Sequence, residues 1–260
     1  MNRLSEGRRP RAVRFLGFVM LVLFASCASY SVPPPAADSE HYVVLLHGLA
    51  RSERSMRKMQ WSLAQQGFAT CNITYPSTKF PVEALLRDYV LPAIRACLPE
   101  RPVGVSFVTH SMGGILVRLL EKTEAMPNIE RVVMLSPPNQ GSEVVDRVGG
   151  FWLFQFLYGP AGNELGTGPD SLPQRLGPAR FVVGIITGNR SVNPILSSIV
   201  PGEDDGNVSV ENAKLEGMQD FLVVPANHHF IMQNDEVIRQ TLAFLKNGRF
   251  DHPGAGRAPQ

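Results

Sequence analysis

VSFVTHSMGGILVRLL, residues 105–120, sets a serine between two different apolar patterns. Before Ser111 the residues fit a buried strand, and after it they fit the period of a buried helix. The spacing predicts a strand over 103–110 and a helix over 112–124, with Ser111 at the sharp point between them. Gly113 and Gly114 lie just behind it, where small residues let a strand and a helix approach closely. Ser111 is then either an exposed nucleophile or only a turn residue, and the rest of the chain has to decide.

Working outward, short apolar runs alternate with helical patterns. Strands are expected at 42–46, 69–75, 103–110, 130–136, 179–188 and 221–226. Helices are expected at 52–67 with Ser52 as N-cap, at 81–98, at 112–124 and at 234–248. This alternation predicts an α/β fold, a mostly parallel sheet with helices on both faces. Ligands of such sheets sit beyond the carboxyl ends of the strands. Four segments fall there: HGLARS after the first strand, HSMGG after the third, PGEDDGNVSV (201–210) after the fifth and NHHF (227–230) after the last. They bring a serine, an acid and a histidine to one edge. A serine hydroxyl needs a base within hydrogen-bond reach, and that base needs an orienting carboxylate. Asp204 and Asp205 compete as the acid, or form a solvated Asp-Gly turn. His228 and His229 compete as the base. His47 and His110 lie inside their own loops and read as structural.

These segments resemble the α/β-hydrolase superfamily, in its bacterial lipase and esterase branch, from about Tyr42 to Phe250. The elbow Thr109-His110-Ser111-Met112-Gly113 departs from the Gly-x-Ser-x-Gly pattern in its first residue. VVLLHGLARS is similar to the oxyanion loop of that branch, and SPPNQGSEVVD, DDGNVSV and HHFIM are similar to its later segments. The resemblance implies the α/β-hydrolase fold, hydrolysis of carboxylic esters through an acyl-enzyme, and no organic cofactor. It implies an oxyanion hole made by the backbone N–H groups of Leu49 and Met112. The Asp-Gly-x-Val pattern implies Asp205 as the acid. Alignment of Phe230-Ile231-Met232 with the branch implies His228 as the base, whereas the superfamily at large, with histidine directly before phenylalanine, implies His229.

The 260 residues fit one domain with a sizeable core. The formal charge of +2 belongs to the N-terminus: Arg3, Arg8, Arg9, Arg11 and Arg14 face only Glu6 within residues 1–26, and the remainder holds 20 basic and 22 acidic residues. No basic stripe points to nucleic acid. Residues 1–26 read as a targeting segment, with arginines before the apolar run FLGFVMLVLFAS. LFASC resembles the lipobox of bacterial lipoproteins, which implies a signal peptide, a lipidated Cys27 and an exported, membrane-anchored protein of the cell envelope. Cleavage after Cys27 and an uncleaved anchor are the alternatives. Residues 27–40 read as a Pro-rich tether, 41–250 as the domain and 251–260 as a tail. Cys71 and Cys97 are either a disulfide or two buried thiols, and no Cys/His spacing fits a metal.

Residues 142–163 contain GFWLFQFLYGP, too apolar all round for an ordinary surface helix. They form either a lid or acyl-chain wall over the serine, or a helix buried against the core. Residues 162–178 read as a loop. The expected function is a carboxylic ester hydrolase acting on lipid-like or short acyl esters. An acyltransferase with the same triad and a non-catalytic binding module are the alternatives.

Overall fold

The computed structural model describes residues 30–32, 41–100, 102–126, 128–192 and 194–252. The targeting segment, Cys27, nearly all of the tether and most of the tail lie outside these. Among the described residues, no helix is long and apolar enough to cross a membrane.

Six strands form one sheet, all parallel: β1 His41–Leu46, β2 Ala69–Ile73, β3 Gly104–His110, β4 Ile129–Leu135, β5 Val183–Gly188 and β6 Asp220–Val224. Their order is β2-β1-β3-β4-β5-β6. The chain goes outward from β1 to β2 and then returns past β1 to β3. The crevice between the ends of β1 and β3 is therefore the switch point where this architecture binds ligands.

Alternate strand residues face opposite layers, as the pleat requires. Val43, Leu45, Val108, Val133 and Ile186 pack with Met59 and Leu63 of α1 (Arg57–Gln65) and Phe244 of α10 (Asp235–Asn247). Val44, Leu46, Phe107, Met134 and Ile185 pack against α2 (Val82–Leu85), α3 (Leu91–Cys97) and α4 (Met112–Lys122). Each of these fully buried aliphatic side chains contributes about 1.5–3 kcal/mol of transfer free energy. α4 is buried at every position from Met112 to Leu120, so it lies inside the protein rather than on it.

The sequence reading differs from the fold in instructive places. The expected helix 81–98 is continuous but carries a π turn, Leu86–Val90, between α2 and α3. Pro92 lacks an N–H, and its ring collides with the carbonyl four residues earlier, so the helix widens and Leu91 N–H bonds to Leu86 O instead. The helix expected from Ser52 opens as a 3₁₀ turn, Glu53–Met56. Ser52 makes no side-chain cap there; its carbonyl accepts the Ser55 N–H and hydroxyl. The last helix is capped at both ends, by the Asn234 side chain on the Glu236 and Val237 N–H groups and by left-handed Gly248. The stretch read as a loop contains α7, Leu172–Leu176, and α8 (Pro194–Ser197) and α9 (Val210–Ala213) escaped the sequence pattern because each is only four residues long.

Residues 142–163 fold as α5 (Glu143–Val148) and α6 (Trp152–Asn163). Gly159, at φ 64°, breaks α6 before Pro160, and a Cβ there would lie 1.7 Å from Thr78 O. That backbone contact pins the far end of α6 to the domain. Cys71 in β2 and Cys97 in α3 are disulfide-bonded, closing 26 residues of chain. A loop of that length stabilises by about 3–4 kcal/mol on the chain-entropy account.

Candidate active site

Ser111 stands between β3 and α4 with φ 52° and ψ −122°, a backbone that costs a non-glycine residue about 1–3 kcal/mol. The surroundings impose it. Ser111 N–H donates to Leu135 O of the next strand at 2.9 Å. Gly113 lies so close to β1 that a Cβ would be 2.6 Å from Leu46 O. The glycine thus lets α4 start directly against the strand, and the turn that results holds the Ser111 side chain at the head of the helix. Thr109, where the resembled pattern has glycine, is fully buried and tolerated.

His228 and Asp205 reach the same point from the ends of β6 and β5. His228 Nε2 is 3.1 Å from Ser111 Oγ, and His228 Nδ1 is 2.8 Å from Asp205 Oδ2. An ionised carboxylate only accepts, so Nδ1 carries the proton and Nε2 is left as acceptor for the Ser111 hydroxyl. Asp205 is held on its other side by the N–H groups of Asn207 and Val208, which donate to Oδ1 at 3.1 and 3.0 Å. Burial pushes the Asp205 carboxyl up. The charge of His228 and the hydrogen bonds from His228 and Val208 outweigh it, and the net direction is down.

The competing residues are turned elsewhere. Asp204 accepts from Ser197 Oγ and from Gly206 N–H. His229 Nδ1 accepts from Arg51 Nη2 at 2.8 Å. His110 is buried, its Nε2–H donating to His228 O at 2.9 Å; burial, with the charge of His228 second, holds its pKa well below the ordinary value. His47 stacks on Tyr75 with ring centroids 4.0 Å apart, and Tyr75 Oη donates to the His47 carbonyl. These two histidines brace the loops that carry Leu49 and His228. Leu49 lines the cavity beside Ser111. Met112 is the first residue of α4, and its N–H is one of the four that a helix start leaves without an intrahelical acceptor. That helix end favours negative charge.

A cavity of about 320 Å³ opens over Ser111 and His228. Val144, Val145 and Val148 of α5, Tyr158 of α6, Leu165 and Val208 make an apolar wall, and Arg51 and His229 line the cavity where it adjoins a second groove. Along α6 and just before it, Phe151, Trp152, Phe156 and Leu157 are exposed, Trp152 by 75% and Phe156 by 79%. Two residues here were invisible as site residues in the sequence. Arg51 meets His229 across 178 residues of chain. Arg118, buried in α4, donates to the carbonyls of Asn139, Pro173 and Gly177, clamping both ends of the segment that carries α5 and α6. Among the described residues, no group of three or more His, Cys, Asp or Glu could hold a metal ion.

No protein-family profile matches the chain, and no curated protein is similar to it. Solved structures are similar. A lipase from Bacillus licheniformis, BlEst2 in its mature form, superposes with a TM-score of 0.58 at 21% identity, over 84% of this chain and 95% of that one. The Pyrococcus furiosus esterase PF2001 gives 0.56 at 18%, over 80% and 82%. Phospholipase PlaB from Legionella pneumophila gives 0.54 at 17%, over 67% of this chain and 45% of that one. At such identities the likeness speaks for the fold rather than for an activity. Six parallel strands in this order, helices on both faces and these neighbours together make the chain a member of the α/β-hydrolase fold.

Proposed function

We propose that this chain hydrolyses carboxylic esters, with Ser111 as nucleophile, His228 as general base and then general acid, and Asp205 as the orienting carboxylate. The observation that carries the reading is the unbroken relay from Ser111 Oγ to His228 to Asp205, at 3.1 and 2.8 Å, opening on an apolar cavity. The similarity to a lipase, an esterase and a phospholipase supports it.

Ser111 Oγ attacks the ester carbonyl while its proton passes to His228 Nε2. Asp205 keeps Nδ1 protonated and stabilises the imidazolium. The carbonyl oxygen gains negative charge beside the start of α4, where the Met112 and Leu49 N–H groups are the assigned donors. His228 returns the proton to the departing alcohol, leaving an acyl-serine. Water, deprotonated by the same histidine, then releases the acid. The apolar wall of α5 and α6 takes the acyl chain.

A lipid-bearing Cys27 and the Pro-rich tether 27–40 would hold this domain at a bacterial envelope membrane, within reach of acyl esters. Metabolic labelling with a fatty-acid analogue should mark the wild-type chain and not Cys27→Ala. Equal labelling of both would remove the anchor from the proposal.

The decisive test is turnover of p-nitrophenyl esters of graded chain length, with Ser111→Ala alongside. The variant should lose about 10⁶ in kcat, keep its unfolding midpoint, and fail to react with a fluorophosphonate. Wild-type activity in Ser111→Ala would end the proposal.

A further inference from the structure

The cavity over Ser111 has two unlike sides, and an ester has two arms that leave its carbonyl in different directions. The apolar side suits the acyl arm. The other side runs on, past Ala50, Arg51 and His229, into an open groove of about 530 Å³ lined also by Ser52, Arg54, Ser55, Phe230 and Gln233. Among the described residues lining cavity and groove there is no carboxylate. Asp205 is turned to His228, and Glu53 accepts the Thr74 hydroxyl and lies 3.9 and 3.8 Å from Arg54 and Arg57.

Arg51 is fixed rather than free-swinging. Its Nη2 donates to His229 Nδ1 at 2.8 Å, which uses one of five N–H donors and leaves the others for a ligand. Because Nδ1 of His229 accepts, its Nε2 carries the hydrogen and is a second donor. Ser52 supplies a hydroxyl that is not spent on capping the following turn. Arg54, exposed at the rim, adds a second positive charge. A half-buried guanidinium without a carboxylate partner, oriented by a neutral imidazole, is a receptor for a planar or tetrahedral oxyanion.

We infer that this groove is a subsite for a phosphate group carried on the alcohol arm of the ester, with Arg51 as its principal contact and His229 as the residue that orients Arg51. The inference rests on the ester-hydrolase reading and deepens it. The substrate class is an acyl ester of a phosphorylated alcohol, lipid or soluble. The Arg51 fork, the His229 Nε2–H and the Ser52 hydroxyl offer donors enough for the three terminal oxygens of a phosphate. A neutral alcohol would leave Arg51 without a counter-charge, whereas Arg54 is already answered in part by Glu53 at 3.9 Å. Arg51 acts on selectivity and takes no part in proton transfer.

The test uses the full-length chain and two substrates with the same acyl group, 1-hexanoylglycerol 3-phosphate and 1-hexanoylglycerol, both below their micelle concentrations. The readout is the ratio of their kcat/KM values. Wild type should favour the phosphate at least about tenfold, and Arg51→Gln should lower that ratio by about 10- to 100-fold, the range for loss of a charge-assisted contact. Arg51→Lys should recover part of it, since it restores the charge without the fork. A wild-type ratio near one, or an Arg51→Gln variant that lowers both substrates alike, overturns the inference. Fluorophosphonate labelling of the same preparations separates the two readings. A chain that labels but shows no preference loses only the phosphate subsite, whereas one that neither labels nor turns over either substrate loses the ester-hydrolase reading and this inference with it. Repeating the pair with dodecanoyl chains tells the sources apart: a larger ratio marks a lipid headgroup, a smaller one a soluble phosphorylated alcohol.

Discussion

The two walls of the cavity are built on opposite principles. The wall at the sheet edge is short loops joined by a polar relay: Ser111 to His228, His228 to Asp205, His110 to the His228 carbonyl. The wall formed by α5 and α6 meets the cavity with Val144, Val145, Val148 and Tyr158, and it shows aromatic side chains to solvent. One wall is fixed by hydrogen bonds that tolerate little change. The other is an apolar insertion between β4 and β5 that can vary in sequence without disturbing the sheet. On the proposed reading, chemistry and chain selection are carried by separate pieces of polypeptide.

That separation can be broken at its strongest point first. Asp205→Asn should lower kcat by about 10⁴, because an amide no longer imposes the right tautomer on His228. Asp204→Asn, one residue away, should stay far closer to wild type. If the two variants fell equally, the acid would not be an individual residue of the rigid wall, and the comparison would fail there.

Acid should loosen the rigid wall next. His47 and His110 both have pKa values pulled below 6.5, in each case chiefly by burial. Between the depressed folded value and 6.5 the unfolded chain binds protons that the folded chain does not. Stability is therefore fully present above about pH 6.5 and falls as pH drops, by up to about 1.4 kcal/mol per pH unit for each histidine. Asp205 adds a further loss only near and below pH 3.8, since its folded value is depressed from there. Urea unfolding at pH 7.5, 6 and 5 measures the slope, and His110→Gln should remove about one histidine's share. A flat profile over this range would mean that the two rings are not held neutral.

The smallest effect belongs to the other wall. Trp152→Ser and Phe156→Ser should change the unfolding free energy by no more than about 0.5 kcal/mol, because these side chains are already in water. Their mark should be a severalfold lower kcat/KM on long-chain esters than on short ones. A loss above about 2 kcal/mol would show that the aromatic face supports the fold, and the division between the walls would have to be redrawn.

The sheet was legible because buried parallel strands are nearly continuous apolar runs, and the elbow because only one serine stands between such a run and a helix. From the residues alone the candidate acid and base were legible only as pairs, and it was the family resemblance that pointed to Asp205 and His228. Choosing within Asp204–Asp205 or His228–His229 depends on which way a loop turns, and adjacent residues in a turn point in different directions. The π turn was readable in principle, from Pro92 inside a helical pattern. Arg51 and Arg118 were not, since what defines them is a partner far along the chain. The α6 aromatics read as too apolar for a surface helix, yet Phe151, Trp152 and Phe156 are exposed, because a two-turn helix pinned at Gly159 cannot bury all its faces.

The His228 backbone is gripped at both ends: its N–H donates to Asp205 O and its carbonyl accepts from His110, each at 2.9 Å. Ser111 is made in the first half of the chain and its partners in the last quarter. On the proposed reading, a polypeptide still being synthesised carries an inert serine, and turnover would begin only when the final strand has been made and seated. Ester cleavage would then serve as a clock for maturation.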